Sequence, residues 1–399
     1  MRTQATSTWN DIGFDAVPAL PSAPLERAAC LALLAFAAAL QLSIAAADIL
    51  LTIAAVLWVG LLIRNHERVD VPPMFWPLAA YGAATLVAAF FSIDPRTSLI
   101  DSKQLVLLII VPLTYRLFRG PRALLAVDVI ITIGALSATW GIVQYLILNF
   151  DHLGRRPAGA LGHYMTYSGL LMLVIGVAIA RVLFGQGGRT WAALVMPALA
   201  VAVALTFTRN TVVGACAAAA LLLFLKDRRL LALLPILAAV FFLLAPTAIT
   251  NRYASIFSLK DPTNRDRLAM LREGAHMIRN HPLVGIGPNM VQPLYAEYRD
   301  PDAVNAVNPH LHNVPVQIAA ERGLPALAVW LWFIVGLVVA LAKQLRDTRV
   351  RFLAAAGLAA VVSMLAAGMF EYNFGDSEFL MLFLILVTLP FAAARTKEA

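Results

Sequence analysis

The chain has 399 residues, of which 60% are hydrophobic and only 14% charged, with a formal net charge of +8. A soluble domain has about a quarter of its residues charged, so this composition excludes a water-soluble fold and points to a chain solvated mostly by lipid. The two cysteines, Cys30 and Cys216, lie far apart inside apolar runs, which excludes a disulfide framework or a thiolate metal site.

Residues 1–26 are polar and rich in Ala, Pro and Ser, without the charged, apolar and cleavage-site succession of a signal peptide. They read as a disordered cytoplasmic tail. A membrane crossing needs about 20 mostly apolar residues. Apolar runs predict spans at 27–45, 48–63, 74–92, 99–118, 123–147, 161–184, 190–207, 210–225, 229–246, 323–343, 350–369 and 378–394. Spans one to nine thus occupy 27–246, a loop 247–322, and spans ten to twelve with a short tail 323–399. The predicted fold class is an all-α integral membrane protein of about twelve transmembrane helices, with one large extracytoplasmic helical loop between spans nine and ten.

Orientation follows from the basic residues, because Lys and Arg in short connections stay on the cytoplasmic side. Arg64 and Arg68, then Arg116, Arg119 and Arg122, then Arg181 and Arg189 fall in every second connection. Lys226, Arg228 and Arg229 follow, and then Lys343, Arg346, Arg349 and Arg351. With Arg2, Arg27, Arg395 and Lys397 they make 18 of the 31 Lys and Arg, which predicts both termini in the cytoplasm. Arg96, Lys103, Arg155, Arg156 and Arg209 remain at short outer connections, where a cation either snorkels to headgroups or meets a ligand.

Arg209 stands in Leu-Thr-Phe-Thr-Arg-Asn-Thr between two apolar runs, so its turn is tight and close to the membrane surface. A guanidinium there needs an anion, either a lipid headgroup or a phosphate held bidentately. Asp261 to Pro282 predicts a helix capped by Thr263 or Asn264 and stopped near Asn280. Arg265, Arg272, His276 and Arg279 form its basic edge, beside an apolar sector of Leu268, Leu271, Ala275 and Ile278. That pattern suits either a helix lying on anionic lipid or one whose first-turn Arg265 meets a phosphate with help from the helix dipole.

His281 to Asn289 carries glycines and prolines that force a compact turn. His312 and Asn313 begin a helix that runs into span ten. A histidine there is either a hydrogen-bonded structural residue or a proton acceptor near neutral pH. His310 and His312 have no carboxylate or third histidine at ligand spacing, and Asp300-Pro301-Asp302 has the form of a turn, so no metal is expected.

Taken in order, these pieces resemble the O-antigen ligase and O-antigen polymerase superfamily of bacterial envelope glycosyltransferases, over about 155–330. The matching pieces are Thr208-Arg209, the Asn-Arg start at Arg265, the turn from His281 to Pro288, and His312-Asn313 followed by Glu321 and Gly323. Arg155 to His163 is similar to the segment that precedes span six in that family. The span layout with its large outer loop is similar to the ligases in particular. Where family members often have Ser-Arg-Gly, this chain has Thr208-Arg209-Asn210, which changes the turn after the arginine.

The resemblance implies an enzyme of the bacterial inner membrane with its site facing the periplasm. It would move O-antigen polysaccharide from undecaprenyl pyrophosphate to a hydroxyl of lipid A–core oligosaccharide, with inversion. It implies His312 as the base and Arg209 and Arg265 as the pyrophosphate clamp. Arg155, Arg156, His163, Arg272 and Asn313 would contact pyrophosphate or glycan. The partners are then lipid-linked O-antigen, lipid A–core and membrane lipids, with no nucleic acid, metal or cofactor, because the lipid pyrophosphate already carries the energy. A polymerase passing the same donor to a second lipid-linked sugar suits the same residues. A protein O-oligosaccharyltransferase suits them less, since those commonly carry a further soluble domain. A transporter or flippase for an anionic substrate would show internal repeats and polar residues through the bilayer, and the sequence has neither.

Overall fold

The computed structural model describes residues 20–258 and 260–395, so most of the expected tail, 1–19, lies outside the described residues. The end of that tail is already helix. Pro24 opens α1 (Pro24–Ala39), its fixed φ suiting a first turn whose N–H groups have no partner. α2 (Ile44–Asn65), α3 (Phe75–Phe90), α4 (Pro95–Asp101), α5 (Ile110–Leu117) and α6 (Arg122–Leu146) follow. Then come α7 (Tyr164–Phe184), α8 (Arg189–Leu205), α9 (Arg209–Lys226), α10 (Leu233–Leu244) and α11 (Thr247–Ala254). The chain continues through α12 (Pro262–Asn280), α13 (Val291–Tyr298), α14 (Val314–Gln344), α15 (Arg351–Gly368) and α16 (Ser377–Ala393). Among the described residues the regular elements are all helices, with one isolated bridge between His152 and Arg155.

Seven helical stretches among the described residues are long and apolar enough to cross a membrane: α2, α4 to α5 (95–117), α6, α7, α9, α14 and α15. α3, α8 and α16 are shorter and equally apolar. The expected first span, 27–45, is broken by a turn over Leu40–Ser43, after which Ser43 caps α2. The expected fourth span is α-helical only at its ends, with a 3-10 segment at Ser102–Ile109 between them.

α7, α15 and α16 are buried along nearly their whole length, whereas α2 and α10 present Ile, Leu, Val and Phe outward, as lipid-facing helices do. Small residues set the central spacing. Gly176 of α7 faces Ala359 of α15 and Ala218 of α9, so three backbones approach closely.

Helix ends sort into two sets. At one end Arg116 pairs with Glu26 and Glu67, Arg122 with Glu26, and Arg395 with Asp70. At the other, the segment between α10 and α14 docks on Ser92 between α3 and α4, on Arg209 at the start of α9 and on Glu371 between α15 and α16. The turn 285–288 is the wedge. Ile286 and Gly287 donate to the carbonyls of Ala320 and Glu321 at 2.9 Å each, and Ser98 donates to the Pro288 carbonyl at 2.8 Å. α14 is bent where it receives this wedge, because Gly323 has φ 81° and ψ 168°. A Cβ on Gly323 would lie 2.1 Å from the Leu283 carbonyl oxygen, and one on Gly285 2.3 Å from the Glu321 carbonyl carbon. Both positions therefore need glycine for space as well as for φ.

Candidate functional site

α12 is capped by Asp261, which accepts from the N–H groups of Thr263 and Asn264. The cap is therefore two or three residues earlier than Thr263 or Asn264, while the helix ends at Asn280 as expected. Its orientation differs from the amphipathic reading. The buried face carries Asp266, Ala269, Met270, Glu273, Gly274 and Met277, and the leucines of the expected apolar sector, Leu268 and Leu271, are exposed. Two acids sit on the buried face because the following loop needs acceptors. Asp266 takes the N–H groups of Val304 and Asn305 and the side-chain amides of Asn305 and Asn308, and Glu273 takes the N–H of Asp300.

Arg209 opens α9 after Phe207, whose φ of 56° tightens the turn from α8. Its side chain is buried. It donates to the Ser255 carbonyl at 3.2 Å and hydroxyl at 3.0 Å, and to Asp261 at 3.1 Å. Asp261 also faces Arg252 at 3.8 Å. Burial works to raise the Asp261 carboxyl, and the two guanidiniums hold it below the ordinary carboxylate range. Arg209 thus ties the start of α12 to the end of the bundle.

A cavity of about 290 Å³ opens beside this tie, lined by Arg156, Arg209, Arg252, Arg267, Tyr164 and His312 among others. Its only lining carboxylate is Asp266, already occupied by four amide donors. The cations crowd one another. Burial, then repulsion from Arg209 and Arg156, brings Arg252 down to about 10, and burial lowers Arg267 as well. Four guanidiniums with little counter-charge can hold an anion, and several planar forks on one cavity suit phosphate oxygens in particular.

His312 reaches the cavity from the residue before the α14 cap. It has φ 48°, and Asn313 locks the turn, accepting from the Val316 N–H at 3.0 Å and donating to the Met369 carbonyl at 3.1 Å. Its Nδ1 is 2.8 Å from Oε2 of Glu371, in the connection between α15 and α16. The other oxygen, Oε1, is 3.4 Å from His310 Nε2 and accepts from the Tyr372 N–H at 3.0 Å. Burial opposes ionisation of Glu371, but His312 and then His310 outweigh it and hold the carboxyl at about 2. Burial lowers His310 to about 4, so this imidazole is neutral at neutral pH.

The carboxylate missing at ligand spacing in the sequence is therefore supplied from 59 residues away. His310, His312 and Glu371 offer three ligand atoms within 4.8 Å of one another. Their spacings are mixed, 3.4 Å from His310 Nε2 to Glu371 Oε1 and 2.8 Å for the nearest pair. Two ligands about 2.0–2.1 Å from a tetrahedral zinc lie roughly 3.3 Å apart, and His312 and Glu371 stand at hydrogen-bond distance instead.

The fold gathers Arg209, Arg156 and His312 from the residues expected on sequence grounds, and leaves the others elsewhere. Arg265 is exposed, and Arg267, two residues on, lines the cavity in its stead. Arg272 is engaged by Asp300 at 2.7 Å and Asp302 at 3.0 Å, which also accounts for that Asp-Pro-Asp turn. Arg155 lies over the Phe150 ring, away from the cavity. His163 caps α7 and lines a second cavity of about 200 Å³ with His310, Glu371 and Asp376. Asn313 is buried as a cap. Arg252, Arg267 and Glu371 were missed. Glu371 had a signal of the kind that drew attention to Arg209, a charge stranded between two apolar runs that must find a partner.

Residues 194–331 match the family model described as O-antigen ligase. The matched segment holds Arg209, Arg252, Arg267 and His312, while Arg156, His163 and Glu371 fall outside it. No curated protein matches the chain.

Proposed function

We propose that this chain, whose residues 194–331 match the O-antigen ligase family model, transfers O-antigen polysaccharide from undecaprenyl pyrophosphate to a hydroxyl of lipid A–core oligosaccharide. The observation that carries the reading is one cavity that joins four guanidiniums to a histidine backed by a carboxylate. The guanidiniums bind the pyrophosphate and neutralise the charge that grows on it as the sugar departs. His312 takes the proton of the acceptor hydroxyl. The freed oxygen attacks the anomeric carbon opposite the leaving group, the bond from that carbon to the phosphate oxygen breaks, and the configuration inverts. Arg209 and Arg267 take the clamp role, Arg267 standing where Arg265 was expected. Charge neutralisation by arginine makes the reaction metal-independent.

In this reading all twelve apolar segments cross the inner membrane. The end bearing Arg116, Arg122 and Arg395 lies in the cytoplasm, and the segment from α11 to α13 lies in the periplasm. The pairing of basic connections at one end and the docking of the long segment at the other support that arrangement. Cysteine labelling of 247–312 from the cytoplasmic side would overturn it.

The test uses the purified full chain with a lipid-linked glycan and either lipid A–core or a second lipid-linked glycan as acceptor, with and without EDTA. Transfer to lipid A–core that survives EDTA is expected. Transfer only to the second lipid-linked glycan would make the chain a polymerase. Loss on chelation restored by a divalent ion would overturn metal independence.

A further inference from the structure

Four cations line the cavity in which His312 is to accept a proton. An imidazolium formed there is opposed by Arg267, which lies close enough to Glu371 to feel its charge, and by Arg156, Arg209 and Arg252 across the cavity. A base in such a field works only if an anion stands behind it.

We propose that Glu371 is the positioning residue for His312: it fixes the imidazole with Nδ1–H donated to the carboxylate, leaves Nε2 as the proton acceptor, and offsets the arginine field when the imidazolium forms. This inference rests on the reading of His312 as the base. An ionised carboxylate only accepts hydrogen bonds, so the 2.8 Å contact assigns the proton to Nδ1 of a neutral His312. The carboxylate is itself pinned. The Tyr372 N–H donates to Oε1, with His310 Nε2 3.4 Å from the same oxygen, and the Asn313 to Met369 bond fixes the distance between the two backbones. Glu371 lines the second cavity and not the basic one, so it acts through His312 without touching the phosphate site. Beside His310, the Tyr372 phenol, His163 and Asp376 are the other titratable groups that line that cavity, and the last two lie on neighbouring elements. These two belong to the start of α7 and the residue before α16 and bond to Thr166, not to Glu371.

The test compares kcat against pH for the wild type, Glu371→Gln, Glu371→Asp and His312→Ala, in the full chain with lipid-linked glycan and the acceptor it uses. Glu371→Gln is expected to lower kcat about 10²-fold or more with little change in donor KM, as loss of an orienting carboxylate does in other His-based sites. Its acidic limb should move to lower pH by about one unit, because the variant has no anion 2.8 Å from the imidazole to offset the protonated form. A role confined to holding the fold would lower the yield of folded protein without moving the limb. An unmoved limb in folded Glu371→Gln, with His312→Ala inactive, overturns this inference and leaves the base reading intact. Activity near wild type in His312→Ala overturns the base reading, and this inference with it. Should Glu371→Gln fail to fold, Glu371→Asp decides, since a carboxylate about 1.5 Å shorter loses the contact and wild-type kcat would overturn the proposal. Stoichiometric zinc in the purified wild type that is lost in Glu371→Gln would also overturn it, by making the cluster a metal site.

Discussion

Both ends of the molecule carry a cluster of arginines, and the two clusters are balanced differently. At the end with the paired basic connections, Arg116, Arg122 and Arg395 meet three carboxylates. Arg116 holds Glu67 through two nitrogens at 2.6 and 2.7 Å, Arg122 holds Glu26 at 2.8 Å, and Arg395 holds Asp70. At the other end, Arg156, Arg209, Arg252 and Arg267 have two carboxylates near them: Asp261, which Arg209 and Arg252 share, and Asp266, which lines their cavity but is taken by amide donors. The first cluster is a clasp that joins α1, α2, α5 and α6. The second is unbalanced by two to three charges, and an unbalanced set of buried cations is stable only when a ligand supplies the missing anion. Chemistry therefore follows from the charge left over, not from the number of arginines.

The sharpest way to break this contrast is to remove His312, which is proposed as the base and not as a phosphate ligand. His312→Ala should lower kcat by roughly 10²–10⁴-fold, the usual contribution of a positioned base, with donor affinity close to wild type because the guanidiniums are intact. Equal loss of donor binding and turnover would make His312 a phosphate ligand instead.

Substitutions that keep charge and remove the planar fork separate the two clusters. Arg209→Lys and Arg267→Lys should each lower transfer by about 10–10²-fold, the worth of a charge-assisted bond at roughly 1.5–3 kcal/mol. Arg122→Lys in the clasp and Arg265→Ala on the exposed face of α12 should stay within about threefold of wild type. A loss at Arg265 equal to that at Arg267 would show that the α12 basic edge, and not the cavity, binds the donor.

The difference between Arg265 and Arg267 also explains what was legible in the sequence. Apolar length identifies the seven long apolar helical stretches and the shorter α3, α8 and α16, because lipid leaves the backbone no other partner, and Pro282 and Asn280 mark the end of α12 correctly. Arg209 and His312 were legible because each is a polar group beside an apolar run. The face of α12 was not. Residues two apart on a helix point to nearly opposite sides, and the sequence offers arginines on both sides of Asp266. Hydrophobicity favoured the side of Leu268 and Leu271, but the acceptors demanded by the 300–308 loop turned Asp266 and Glu273 inward. Glu371 stands between two apolar runs as Arg209 does, but its partner was hidden, since the pairing with His312 depends on how α14 packs on α15 and not on any local spacing.

The smallest expected effect tests whether the carboxylate behind the base is held by a neutral partner. His310 titrates at about 4 against an ordinary 6.5, because burial favours its neutral form. Between those values the unfolded chain binds a proton that the folded chain refuses, so stability falls as pH drops from 6.5 toward 4. Glu371, held at about 2 against an ordinary 4.5, contributes stability that is complete above 4.5 and is lost only as pH falls toward 2. From pH 7 to pH 5, then, the loss comes from His310 and not from Glu371. The wild-type Tm should fall by a few degrees over that interval, and His310→Gln, which cannot titrate, should show a flatter dependence. Parallel slopes in the two proteins would mean that His310 is charged in the fold. Glu371 would then be shared between two imidazolium ions, and its hold on His312 would be correspondingly weaker.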